Sequence, residues 1–327
     1  MLETSPETAP PPASLLDYLR LFRAPNVFTA IADVLMGFAF VQQSFQPYGP
    51  LLLLVVASCF LYTAGMVLND VFDFEIDLAE RPQRPLPSGR IPLAKARAIG
   101  FGMLASGVAC AWVAGFLPEV DRSVAWRSGV VATLLAGAVL AYDGFLKRTP
   151  LGPVGMGACR FLNVLLGMSL GGATLGGVSL LGYGPHHLAA AGGIGVYIVG
   201  VTWFARNEAA ESSRATLLAS VAVMLAGIGL LASFCWWWPE PRAFYLDRDG
   251  AWLLLIGLFT LPILRRTLTA VFSPTPANVQ AAVKHCIFSL IFLDAAAALQ
   301  ASQPIFAVII ILLLLPTMTL GRWVYST

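Results

Sequence analysis

Apolar positions along this chain gather into ten long runs separated by short polar stretches, with no alternating strand-like pattern between them. The runs cover roughly 26–43, 50–70, 95–117, 126–142, 152–176, 188–206, 215–237, 250–271, 279–299 and 304–321. About 20 consecutive apolar residues suffice for a helix to cross ~30 Å of hydrocarbon, so each run predicts a membrane-spanning helix. The expected fold is all-α, a polytopic membrane helix bundle of nine to ten transmembrane helices occupying residues 15–327. Residues 1–14 are Pro-rich and acidic, with no basic stretch before an apolar core. They predict a short disordered N-terminal tail and do not resemble a cleavable signal peptide.

Composition agrees with this pattern. Of 327 residues, 57% are apolar and only 12% charged, whereas soluble domains carry about 25% charged residues. The five cysteines stand singly in apolar segments without a C-x-x-C pair, which predicts packing residues and neither disulfides nor a zinc site. Net charge, at +2, decides little, but the placement of charge decides orientation. With the N-terminus inside, fifteen Lys and Arg fall on the inner side and four on the outer, Arg160 lying within a span. Positive residues favour the cytoplasmic side, so the N-terminus and the long connection after the second run are expected there. The adjacent His186 and His187 fall in an expected outer loop and are read as solvated. The Trp236–Trp238 run is read as an interfacial anchor.

Chemistry concentrates at the inner end of the second run. Five of the eighteen acidic residues lie between Asp70 and Glu80, in the stretch N-D-V-F-D-F-E-I-D that starts at Asn69. On one continuous helix, Asn69, Asp73, Asp77 and Asp70 fall within about 100° of one another. Carboxylates so crowded repel unless a cation sits among them, and oxygen-only donors suit a hard ion such as Mg²⁺. The bland alternative is a solvated helix end paired with nearby arginines. The following R-P-Q-R-P-L-P-S-G-R loop carries Arg81, Arg84 and Arg90, of which Arg81 and Arg84 are expected to bind an anionic, phosphate-bearing ligand. Positive-inside anchoring accounts for Arg90. On the same side the segment Y-D-G-F-L-K-R brings Tyr142, Asp143, Lys147 and Arg148. Arg160 and Asn163 share a helical face in the next run, and an intramembrane Arg normally faces an interior, so they are expected to line a cavity with a ligand or a carboxylate as partner. The sixth run ends in R-N-E-A-A-E, placing Arg206, Glu208 and Glu211 at another inner helix end. Asp33 and Asp294 are intramembrane acids without an assigned partner, for which a structural role is as good a reading as a functional one.

With these motifs in view, the chain resembles the UbiA superfamily of intramembrane prenyltransferases. The resemblance rests on N-D-x-x-D-x-x-x-D at Asn69 to Asp77 followed by R-P-x-R-P-L-P-S-G. It is supported by the Tyr142–Lys147 segment, the acidic end of the sixth run, and L-F-R-A-P-N-V-F-T with Arg23 and Asn26. More narrowly, Y-D-G-F-L-K-R-T-P-L-G-P with M-G-A-C-R-F-L-N-V-L-L-G is similar to the UbiA-like EboC branch. The superfamily usually has aspartates at the second acidic motif, where this chain has Asn207, Glu208 and Glu211.

The resemblance implies a ring of nine helices around a central cavity and Mg²⁺-dependent transfer from an isoprenyl diphosphate to a small acceptor, aromatic or otherwise lipophilic. It implies metal binding by Asn69, Asp70, Asp73, Asp77, Glu208 and Glu211. It implies catalytic roles for Asp70, Asp73, Asp77, Tyr142 and Lys147, with substrate binding by Arg23, Asn26, Arg81, Arg84, Lys147, Arg160, Asn163 and Arg206. Two alternatives stand beside this expectation. One is a lipid-binding carrier or partner subunit of the same fold; the other is a CDP-alcohol phosphatidyltransferase, whose signature lacks its downstream acids here.

Overall fold

The computed structural model describes residues 13–172, 180–206, 213–238 and 244–324. Among these the regular structure is helical, and the one β feature is an isolated bridge between Leu180 and Tyr183. A short helix α1 (Leu15–Leu21) opens on Ser14, whose hydroxyl accepts from the Asp17 amide while the Asp17 carboxylate accepts from the Ser14 amide. This reciprocal cap satisfies amide donors that a helix start leaves orphaned. It also places the helix boundary at Ser14, the last residue of the predicted tail; residues 1–12 lie outside the described part.

The long helices follow the apolar runs: α2 (Val27–Val41), α3 (Tyr48–Phe72), α5 (Leu93–Phe116), α6 (Ala125–Gly144), α7 (Gly152–Gly167), α8 (Pro185–Ala205), α9 (Arg214–Ala232), α10 (Ala251–Phe272) and α11 (Pro276–Ala301). Between α3 and α5 stands the short α4 (Phe74–Glu80), and after α11 come α12 (Pro304–Leu312) and α13 (Leu314–Trp323). Ten helical stretches among the described residues are long and apolar enough to cross a membrane, with α12 and α13 together forming the last.

The nine long helices pack in chain order and α11 returns against α2, which closes a ring. The α12–α13 pair adds a tenth stretch outside it, against α2 and α11. Among the described residues this resolves the expected choice between nine and ten: nine make the ring and one lies on its surface. Only 22% of the most apolar window of that last stretch is buried, and 28% for α10, against 67% for α2. Their outer faces carry Leu254, Leu258, Leu261, Leu312 and Leu315, exposed as side chains facing hydrocarbon would be.

Two further contacts shape the interior. Besides its ring neighbours, α2 crosses onto α7, and α3 meets α6, so α2, α3, α6 and α7 enclose an inner compartment. The α2–α7 crossing needs close backbone approach, because lipid supplies little hydrophobic drive between helices. A Cβ at Gly37 would stand 2.3 Å from the Val164 carbonyl oxygen, and one at Gly167 2.3 Å from that of Val34. Far from the acidic end, the buried Arg127 of α6 donates to the carbonyls of Ser169 and Gly171 and covers the Tyr183 ring at 4.6 Å. It thereby satisfies backbone acceptors that the end of α7 would otherwise leave bare.

His186 and His187 are not on a solvated loop. Helix α8 begins at Pro185, and both rings are buried, His186 lying 4.3 Å from the Trp238 ring. The reason is the aromatic packing of Trp238, which turns inward onto Phe40, Phe234 and Phe244 while Trp236 and Trp237 stay exposed.

Gly167→Ala should destabilise the protein by about 1–3 kcal/mol, the usual cost of overpacking. The expected outcome is a lower thermal unfolding midpoint of detergent-solubilised protein. Gly137→Ala, where an added Cβ meets nothing within 4 Å, should leave the midpoint unchanged or slightly higher.

Candidate active site

The end of α3 sets the site. A single helix through Asn69–Asp77 would put all its acids on one face, but the helix breaks at Asp73, which takes φ −94° and ψ 6° between α3 and α4. The acids therefore divide into two sets. Asp70 and Asp77, both buried, turn toward the arginine loop, and Asp73 turns toward the connection between α6 and α7.

In the first set, the Arg84 guanidinium stands 2.7 Å from Asp77 Oδ2 and 3.6 Å from Asp70 Oδ1, so one nitrogen serves both carboxylates. Arg23 approaches Asp70 at 3.4 Å. It does so from a left-handed backbone, φ 45°, a conformation that costs a non-glycine residue about 1–2 kcal/mol. Strain of this kind persists where surrounding structure enforces it, often at functional sites. Here the 3₁₀ turn Ala24–Asn26 follows directly and leads into α2. Arg81 stands 3.9 Å from Asp77 with its side chain half exposed, a contact worth little.

In the second set, Lys147 Nζ donates to Asp73 Oδ2 at 2.7 Å and to Asn69 Oδ1 at 3.0 Å. Arg148 adds a 3.4 Å contact to Asp73. Five cationic side chains thus face three carboxylates at this helix end, leaving a surplus of positive charge.

The arginine loop is held in place by a small hydrophobic cluster of its own. Leu86 and Ile91 are buried against Leu21 of α1, Val67 and Val71 of α3 and Ala96 of α5. Gly89, at φ 74°, makes the left-handed turn that lets Ile91 fold back to the Pro85 carbonyl. A polar clamp reinforces this: Arg90 donates to Asp17 Oδ1 at 2.5 Å and to the Gln83 carbonyl at 2.6 Å. Burial alone would raise the Asp17 pKa, but hydrogen bonds from Ser14 and the charges of Arg90 and Arg20 outweigh it and hold the carboxyl below its usual range.

Beneath the charged end lies a cavity of about 690 Å³, counting its open mouth. Its walls are largely apolar, from Leu61, Met66, Leu135 and Val139, and its polar positions include Arg23, Asn69, Tyr142, Asp143, Arg160 and Asn163. Arg160 has the carboxylate partner that its depth demanded. It donates to Asp33 Oδ2 at 2.8 Å and to Thr29 Oγ1 at 2.7 Å, and covers Tyr62 at 5.4 Å. Asn163 donates to the same Asp33 oxygen and accepts from Ser58. Asp33 is thus the anchor of a buried network, not an isolated acid, and Asp294 lies against it. Asn26 closes the 3₁₀ turn beside Tyr62.

One sequence expectation is not brought to this cluster. Arg206, exposed at the end of α8, donates to the Thr149 carbonyl at 2.9 Å. That contact ties α8 to the α6–α7 connection and engages none of the three acids. Glu208 and Glu211 lie outside the described residues. Among the described residues no three His, Cys, Asp or Glu side chains gather to hold a metal; Arg and Lys stand between the acids instead. The donor set nonetheless fits a hard divalent cation, being all oxygen, and Arg84 shows that Asp70 and Asp77 are close enough to share one cationic group.

The UbiA prenyltransferase family matches residues 30–281, most of the chain. The chain belongs to that family. The digeranylgeranylglyceryl phosphate synthase of Saccharolobus solfataricus is 36% identical over 96 residues, 29% of this chain and 34% of the relative. The match therefore spans about a third of that protein's length. A solved digeranylgeranylglyceryl phosphate synthase structure superposes with a TM-score of 0.61 at 18% identity, covering 87% of this chain and 97% of the other. A UbiA homologue from Archaeoglobus fulgidus, bound to GPP and Mg²⁺, gives 0.52 at 14% identity over 84% and 99%. At these identities the structures establish the UbiA fold.

Leu86 and Ile91 belong to this site's architecture although no motif singled them out, whereas Asp143 and Arg148 stood in the Y-D-G-F-L-K-R segment and Asp33 among the intramembrane acids, all three without an assigned role. For Asp33 the available signal was an acid within an apolar run, and for Asp143 its place just past the end of one. For Leu86 and Ile91 it was two apolar residues in a proline-stiffened, charged loop.

The Asp17–Arg90 clamp gives a pH prediction. A carboxyl whose pKa is lower folded than unfolded stabilises the fold above its unfolded pKa, and this is lost as pH falls through the folded pKa. At pH 7, Asp17→Asn should speed amide exchange in residues 83–91 about fivefold, equivalent to ~1 kcal/mol for a charged hydrogen bond to a partly exposed arginine. The difference from wild type should shrink below the usual carboxylate range and vanish once Asp17 is protonated in both states.

Proposed function

We propose that this UbiA family member is a Mg²⁺-dependent membrane prenyltransferase that moves an isoprenyl group from an isoprenyl diphosphate to a small lipophilic acceptor. The observation that carries this reading is the excess of cations over carboxylates at the mouth of a largely apolar cavity. An apolar tail with an anionic head is the ligand chemistry such a site complements. The names of the relatives support an isoprenoid donor, and the Archaeoglobus homologue supports a diphosphate with Mg²⁺.

Asn69, Asp70, Asp73 and Asp77 would hold the metal, with Glu208 and Glu211 as the second metal-binding set. Bound there, Mg²⁺ would neutralise diphosphate charge and improve the leaving group. The chain's own residues do the rest. Arg23, Arg84 and Lys147, now on carboxylates, bind phosphate oxygens as the scissile C–O bond breaks, with Arg81 and Arg148 at the exposed edge. The apolar walls hold the tail and exclude water from the allylic cation. Tyr142 shapes the wall beside the reacting carbon, and Asp33 keeps Arg160 and Asn163 oriented deeper in the cavity. The fifteen-to-four distribution of Lys and Arg supports an active-site end facing the cytoplasm.

Purified protein should release pyrophosphate from geranylgeranyl diphosphate when Mg²⁺ and an acceptor are supplied, with geranylgeranylglyceryl phosphate and a simple phenol as first acceptors. Asp73→Ala should reduce that rate at least about 100-fold, and chelation should abolish it until Mg²⁺ is restored. Full Mg²⁺-dependent activity in Asp73→Ala would sink the proposed assignment of the acids. Tight binding of the diphosphate with no pyrophosphate released under any acceptor would make the chain a carrier.

A further inference from the structure

The wall of the cavity carries one carboxylate that the charged web at its mouth does not use. Asp143, one residue before the end of α6, is buried at 2% relative exposure and lines the cavity with Asn69 and Tyr142. Its Oδ2 is buried without a hydrogen-bond partner, and no other cavity-lining residue has such an atom among the described residues. The neighbouring polar walls are satisfied: Asn69 Oδ1 accepts from Lys147, Arg160 is held by Asp33 and Thr29, and Asn163 by Ala30, Asp33 and Ser58. The charges acting on Asp143 come from Lys147 on the following turn, Arg23 before α2, and Asp70 and Asp73 at the end of α3. It therefore lies beside the group of cations assigned above to the diphosphate. A buried carboxylate oxygen with no donor is a costly arrangement unless a ligand supplies one.

We infer that Asp143 is the general base of the transfer and that its missing donor is the attacking hydroxyl of the acceptor, which makes the acceptor class a lipophilic alcohol or phenol. The inference rests on the prenyltransferase reading and adds the acceptor's chemistry to it. In the step, the C1–O bond of the isoprenyl diphosphate breaks and its electron pair leaves with pyrophosphate. A lone pair of the acceptor oxygen forms the new C–O bond, and the O–H proton passes to Asp143 Oδ2. The placement suits this order of events: the base sits in the wall just inside the mouth, next to the leaving group's cations and on the lining of the cavity assigned to the isoprenyl tail. An ether product follows, with no oxidant or further co-reactant.

The test compares wild type, Asp143→Asn and Asp143→Glu in detergent with Mg²⁺, geranylgeranyl diphosphate and geranylgeranylglyceryl phosphate. Binding is measured separately with the unreactive S-thiolo diphosphate analogue. For Asp143→Asn, analogue affinity should stay within about twofold of wild type while ether formation falls about 100-fold or more, the usual range for a lost general base. Slow pyrophosphate release to water should persist, since bond cleavage does not need the base. Asp143→Glu should recover part of the transfer rate. Ether formation at the wild-type rate in Asp143→Asn overturns the proposal. So does an equal loss of analogue binding, which would make Asp143 part of the metal or diphosphate site. A wild-type protein that releases no pyrophosphate overturns the transferase reading and the base together, whereas an active wild type with an unaffected Asp143→Asn overturns the base alone.

Discussion

Charge at the end of an apolar helix is tolerable only when it is answered, and that constraint organises this molecule. Asp70 and Asp77 are buried at the end of α3, where an uncompensated carboxylate would be strongly disfavoured. Partners for these two and for Asp73 come from three separate places in the chain: Arg23 before α2, Arg81 and Arg84 in the loop after α4, and Lys147 and Arg148 after α6, the last two serving Asp73. Meeting those distances forces the loop to fold back over the helix end. It also draws the α6–α7 connection toward the same point. The mouth of the cavity is what this convergence leaves open.

A second buried charge repeats the logic inside the bundle. Arg160 cannot stay in α7 without a partner, and its contact with Asp33 ties α7 to α2 at the level of the cavity wall. The close crossing at Gly37 and Gly167 brings the same two helices together farther along. Ion pair and backbone contact thus act on one helix pair and fix one wall of the compartment. The wall opposite, from α3 and α6, is apolar apart from its ends. A site results that is polar at its mouth, polar along one side and greasy elsewhere, which is the distribution an amphiphilic donor with a separate acceptor needs.

Much of the fold was legible because its signal is local and strong. A run of about 20 apolar residues has few folded solutions other than a spanning helix, and all ten expected runs correspond to helices. The site was legible as a set of residues but not as a geometry. Helical spacing placed Asp73 with Asp70 and Asp77, yet the break at Asp73 swings it to a different pair of cations. Arg206 stood near an acidic helix end in the sequence, and in space it bonds a backbone carbonyl of the α6–α7 connection. His186 and His187 carried no local sign of the aromatic packing that buries them.

The sequence by itself determined the membrane class, the helical segments and the inventory of charged groups that would have to meet. Those follow from hydropathy, length and residue chemistry, which act over a few turns of chain. Only the tertiary structure decided which acid met which base, that nine of the described helices close the ring with a tenth outside, and that Asp143 lines the cavity with one carboxylate oxygen lacking a donor. Each of these depends on where segments separated by tens to hundreds of residues come to rest, and pairing across such separations leaves no periodicity to read.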